Sequence, residues 1–257
     1  MIILLNSSKT LDFQKPASIA KHSIPEFSED SSLLVDALRK LSRPDFAALM
    51  GVSEKLANLN VNRYKKWRIS ASAPQAKQAI LAFKGDIYAP MDVENYSLKE
   101  FNFAQKHLRI LSGLYGILRP LDLIQPYRLE MATRLSTERG KGLYAFWGDR
   151  INQALRAALK QEKSGILINL ASLEYFKAVK AKQLDARVVT PVFKEYRDSS
   201  HRVVAIFAKK ARGMMCDYII RNHMTRIQAL KSFDLDGYRF NEKLSSENEW
   251  VFTRGDR

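Results

Sequence analysis

Six side chains in two stretches of this 257-residue chain could converge on one substrate: Tyr127, Arg128 and Glu130, then Asn169, Ser172 and Tyr175. A carboxylate such as Glu130 can act as a base, and a guanidinium such as Arg128 can clamp an anion through paired hydrogen bonds. Residues 169–172 read as leaving a strand and entering a helix at Ser172, a geometry that turns backbone N–H groups toward an anion. The chemistry would be that of an enzyme acting on a nucleotide or another anionic small molecule. No nucleophile–base pair, Gly-rich nucleotide loop or metal-ligand spacing accompanies these residues, so neither a cofactor nor a metal is expected. The competing structural reading is an Arg–Glu network that locks a long, partly buried loop, since polar groups there must pair somewhere.

A second group is cationic. In LMGVSEKLANLN, residues 49–60, Gly51, Val52 and Ser53 form a turn between two helix-forming runs, and Ser53 suits an N-cap. Such a corner can present N–H groups to a phosphate without regard to base identity. Lys55, Asn62, Arg63, Lys65 and Lys66 follow, interleaved with Tyr64 and Trp67, a mixture suited to phosphates and exposed bases. Phe46, Leu49 and Met50 would pack the first helix; Leu56, Ala57 and Leu59 would pack the second. The alternative is an ordinary helix pair with a solvated basic face and core aromatics.

Further anion-binding candidates are Lys9, Arg119, Lys209 and Arg212, with Arg128 shared between the two readings. Pro120 and Pro126 push Arg119 and Gln125 toward extended backbone, and Gly113 permits a close approach of neighbouring chain. Lys177 and Lys180 are expected on the helix after Ser172, and Lys209 and Arg212 on a later one before Gly213.

The elements that must position these residues are legible in outline. Residues 2–5 read as a buried strand ending in the polar turn from Asn6 to Thr10. Leu33, Leu34, Ala37, Leu38 and Leu41 recur at helical spacing, and Pro44 suits the start of the next helix. Ser97 and Glu100 match a capping box, from which a helix of about four turns is expected to bury Phe101, Ala104, Leu108 and Leu111. Residues 113–131 are irregular. Ile151, Ala154, Leu155, Ala158 and Leu159 mark another helix. Strands are expected at 166–170, 187–193 and 202–207, a helix at 208–222, and a terminal hairpin around 245–248. The expected fold is mixed α/β: one domain over residues 1–257, with a central mixed sheet, surrounding helices and a helix-hairpin-helix-like element at 43–67.

Composition sets the partner class. The chain has 42 Lys+Arg against 27 Asp+Glu, a formal charge of +15, which favours a polyanionic partner such as nucleic acid. A single cysteine, Cys216, excludes an internal disulfide and is read as a small buried hydrophobe. His22, His107, His201 and His223 show no helical ligand spacing, which disfavours direct iron binding. MIILLNSSKT lacks a basic leader and is far too short to span a bilayer, so a cytoplasmic protein without a membrane partner is expected.

The chain resembles the YaaA family of bacterial peroxide-stress proteins over nearly its full length. The resemblance is carried by KTLDF from Lys9, AILAFKGDIY from Ala79, HLRILSGLYGILRPLDLIQPYRLEM from His107, FWGD from Phe146, NLASLEYFKAV from Asn169, AKKARGMM from Ala208 and FTR from Phe252. It implies a single α/β domain of a fold peculiar to the family, a helical hairpin of the kind described, a positively charged cleft, and binding to duplex or distorted DNA during oxidative stress; a monomer is expected. It also implies lower oxidative damage through limited free iron. Two departures stand out: Asn6-Ser7-Ser8 replaces the usual Ser-Pro-Ala before Lys9, and Ala132 replaces the usual Gly.

Overall fold

Ile2–Asn6 forms β1, with Ile2 to Leu5 fully buried. A strand apolar on both faces must lie inside a covered parallel sheet, and β1 is flanked by parallel neighbours on each side. The computed structural model describes residues 1–69, 72 and 75–255. After β1 come three helices, α1 (Ser28–Arg39), α2 (Arg43–Met50) and α3 (Glu54–Lys66). Then α4 (Leu98–His107) runs into β2 (Leu108–Ser112) and β3 (Gly116–Leu118). α5 (Arg150–Glu162), β4 (Ile166–Asn169), α6 (Leu173–Phe176), β5 (Arg187–Arg197), β6 (Ser200–Arg202), α7 (Ala205–Arg221), β7 (Arg239–Phe240) and β8 (Glu249–Arg254) complete the principal elements.

The eight strands form one mixed sheet in the order β7-β8-β5-β4-β1-β2-β3, with β6 paired to β5. Strands β2, β1, β4, β5 and β8 run parallel, and β3, β6 and β7 are antiparallel to their neighbours. This is the expected mixed α/β fold.

Several local expectations are corrected. The capping box at Ser97 and Glu100 is present, but α4 has only 10 residues; Leu108 and Leu111 belong to β2. Their apolar spacing fits either element, and parallel pairing of Ile3 with Leu108 through Asn6 with Leu111 decides for the strand. In the range 202–207 only Arg202 is in a strand, because Ala205 already starts α7. The tail does pair antiparallel, β7 with β8, and β8 also lies parallel to β5 along six residue pairs. α6 spans four residues, so Lys177 is its C-cap and Lys180 lies beyond it, paired to Asp149 at 2.6 Å.

Gly113 shows why the central string lies where it does. A Cβ there would meet the Leu129 carbonyl oxygen at 2.3 Å, so only glycine lets residues 128–130 cross the end of β2 this closely.

Candidate functional site

The C-terminal ends of β2, β1 and β4 lie at one edge of the sheet. The chain passes from β1 to β2 on one side and reaches β4 on the other side only later, so its connections diverge around β1. Crevices outside the strand ends at such a point are where open α/β sheets bind ligands. Here the ends supply Ser112, then Asn6 through Lys9, then Asn169 through Ser172, and the extended 127–130 segment closes over them. Ser7, Lys9, Tyr127, Arg128, Glu130 and Tyr175 line the resulting narrow cleft.

Its polar groups interlock. Lys9 Nζ lies 2.6 Å from Glu130 Oε2, and Arg128 Nη2 lies 3.3 Å from Glu130 Oε1. Beneath them the Ser7 hydroxyl donates to Tyr175 Oη at 3.3 Å, and the Ser112 and Tyr127 hydroxyls are 2.7 Å apart. Burial raises the Tyr127 and Tyr175 phenols, which are therefore neutral hydroxyls at physiological pH. Arg128 Nε is buried without a partner among the described residues. Leu129 and Met131 point into the core while Arg128 and Glu130 stay half-exposed, the alternation expected for this segment.

Asn169 and Ser172 are near this cleft in a supporting capacity. Asn169 Oδ1 accepts from the Ala171 amide and its Nδ2 donates to Thr190 Oγ1, shaping the exit from β4. The Ser172 amide donates to Asn6 Oδ1 at 2.9 Å, and Tyr88 Oη donates to the Asn6 carbonyl at 3.0 Å. Asn6, Ser7, Tyr88 and Ser112 were not singled out as site residues from the sequence. Position was the available signal for Asn6 and Ser7, since polar residues directly after a buried strand point into such a crevice.

Arg119 is not part of the cleft. Its Nε and Nη2 donate to the buried Asp122 carboxylate at 3.1 and 3.0 Å, and Nη2 also donates to the Ile24 carbonyl. Burial raises the Asp122 carboxyl, opposed by the Ser23 hydroxyl and by Arg119, so this pair locks the loop. Lys209 and Arg212 lie on α7, and among the described residues no hydrogen bond or ion pair joins them to Lys9 or Arg128. Arg212 is held below the usual arginine value by burial.

The second candidate surface is the corner between α2 and α3. Ser42 caps α2 by accepting from the Asp45 amide, with Pro44 in the first turn, and Gly51 ends it at φ +58°, a conformation that favours glycine. The Gly51 and Val52 amides both donate to the Ala47 carbonyl, so neither is available to grip a phosphate, contrary to expectation. The αL helix ending consumes them. The first-turn amides of α3, at Ser53, Glu54 and Lys55, have no such helical acceptor. Ser53 Oγ accepts from the Leu56 amide at 3.5 Å, a long N-cap contact.

Lys55, Asn62 and Lys66 are spaced seven and four residues apart and are all exposed, so they share one face of α3. Lys65 is exposed beside them, whereas Arg63 is half-buried, donates to Asn60 Oδ1, and is held low by burial. Tyr64 and Trp67 are core residues, not base-stacking platforms: Tyr64 Oη donates to the Arg128 carbonyl at 2.7 Å and Trp67 Nε1 to Tyr115 Oη at 3.0 Å. Leu56 and Leu59, expected to pack α3, are 38% and 45% exposed; Ala57, Asn60 and Tyr64 form its buried face instead.

A concavity of about 850 Å³ lies between α1, α2 and residues 134–139. Leu33, Leu49 and Phe146 contribute to its apolar lining, and its charged residues include both signs, but no predicted site residue lines it. Among the described residues, no group of three His, Cys, Asp or Glu side chains could hold a metal, and no helix is long and apolar enough to cross a membrane. Cys216 is fully buried.

Residues 1–244 match the family model described as peroxide stress protein YaaA. A UPF0246 protein from Teredinibacter turnerae is 48% identical over 254 residues, covering 99% of each chain. The chain therefore belongs to the YaaA family of peroxide stress proteins.

Proposed function

We propose that this chain serves the peroxide stress response by binding duplex DNA through its phosphates, without reading sequence, at the corner between α2 and α3. The observation that carries this reading is the shared exposed face of Lys55, Asn62 and Lys66 on α3, a helix whose first-turn amides at Ser53, Glu54 and Lys55 have no hydrogen-bond acceptor among the described residues. Helix N-termini and cations attract phosphate together, and the formal charge of +15 brings a polyanion to the surface. The buried positions of Tyr64 and Trp67 favour a duplex gripped by its backbone over a single strand held by stacking. Occupied DNA would be shielded from oxidative damage. An effect on free iron would be indirect.

Charge reversal tests the reading. Lys65→Glu with Lys66→Glu changes two exposed side chains and should leave the melting temperature unchanged while lowering duplex affinity more than tenfold at moderate salt. Unchanged affinity would reject the α3 surface as the site.

A further inference from the structure

We infer that the cleft at the ends of β1, β2 and β4 is a separate binding site for a small phosphate-bearing ligand, and that Glu130 occupies the anion position until the ligand displaces it. Lys9 and Arg128, two cations, hold a single carboxylate between them at 2.6 and 3.3 Å. With that carboxylate seated, the remaining space is about 10 Å³, room for one water-sized group. The carboxylate thus fills the place an external anion would take.

The donors around the cleft exceed those that Glu130 uses, which are Lys9 Nζ and Arg128 Nη2. Arg128 Nε is buried and unpartnered, and Tyr175 Oη accepts from Ser7 and so keeps its own hydrogen for another acceptor. Together with Lys9 Nζ and Arg128 Nη2 these are four donors from three residues. Glu130, fixed in the chain, takes two of them, whereas the three or four oxygens of an untethered phosphate group can meet more. Glu130 is also tethered beside Arg128 in the chain, and its Oε1 reaches only Nη2 of that guanidinium. A ligand that takes both Nε and Nη2 gains a two-pronged contact that the resident carboxylate lacks.

The site needs no part of the α3 surface and stands whether or not DNA binds there. Isothermal titration of the full chain with inorganic phosphate, and in parallel with glycerol phosphate, tests it. Saturable binding of one equivalent is expected, weakened at least tenfold by Arg128→Gln and by Lys9→Gln. Glu130→Gln removes the resident competitor and should tighten binding about tenfold, a gain that a merely structural ion pair or a diffuse basic surface would not give. Lys9 is exposed, so Lys9→Gln carries the test if Arg128→Gln fails to fold. A preference for glycerol phosphate over inorganic phosphate would identify a monoester ligand, and equal binding the free ion; either supports the site. Absence of saturable heat, affinity unchanged by Glu130→Gln, or loss of binding in the Lys65→Glu, Lys66→Glu variant would overturn it. So would competition by duplex DNA in that same variant, which would give the cleft to backbone phosphates.

Discussion

Tyr64 Oη, on the second helix of the α2–α3 corner, donates a 2.7 Å hydrogen bond to the backbone carbonyl of Arg128 in the cleft. One bond therefore ties the two candidate surfaces together, and burial keeps the phenol in its donor form. Tyr64→Phe leaves that carbonyl without its buried donor and should cost about 1–3 kcal/mol in urea-induced unfolding. A loss below measurement error would show that solvent or another group replaces the bond.

Gly113→Ala should destabilise the protein by at least about 2 kcal/mol, because the added methyl would meet backbone, which cannot rotate away as a side chain can. Phosphate affinity should fall with it, since residues 128–130 must lift off the end of β2. Wild-type stability by denaturant titration would contradict the close approach.

Arg119→Gln separates scaffold from binding surface. It leaves the Asp122 carboxylate buried with the Ser23 hydroxyl and the Arg119 amide as its remaining partners, at a cost of about 1–3 kcal/mol, discounted because Arg119 is 41% exposed. Duplex affinity and its salt dependence should not change. A shallower salt slope would return Arg119 to the binding surface.

His107 makes stability depend on acid. Burial holds its imidazole below the usual 6.5, against the Met1 carbonyl bonded to Nδ1 and the nearby Glu162, while Phe103 stacks on the ring. The unfolded chain therefore takes up the proton first. This contribution to stability is full above about pH 6.5 and declines as the pH falls toward the folded value. His107→Gln should flatten the fall in unfolding free energy below about pH 6.5, measured as the difference from wild type. An equal fall in both proteins would assign it to carboxylates instead.

Much of the framework was readable because burial leaves a periodic trace. The strand at Ile2, the capping box at Ser97 and the stripe from Ile151 each state their element locally. The strand from Leu108 was not readable, since its apolar spacing also fits a helix and only the pairing with β1 resolves it. Site residues divide in the same way. Alternation from Arg128 to Met131 gave the direction of the side chains, but nothing local reveals that Arg119 turns to Asp122 or that Tyr64 and Trp67 face the core. Those contacts join residues far apart in sequence or choose between two equally amphipathic faces. The Gly51 turn was legible as a turn, whereas the fate of its amide depended on which carbonyl of the preceding helix it reached.

The most direct test of the DNA reading is a titration of a duplex at several salt concentrations. Contacts from Lys55, Lys65 and Lys66 predict a slope of log K against log salt of roughly −3, reduced by about two in the Lys65→Glu, Lys66→Glu variant. A slope near zero, or the same slope in both proteins, would contradict phosphate binding at α3.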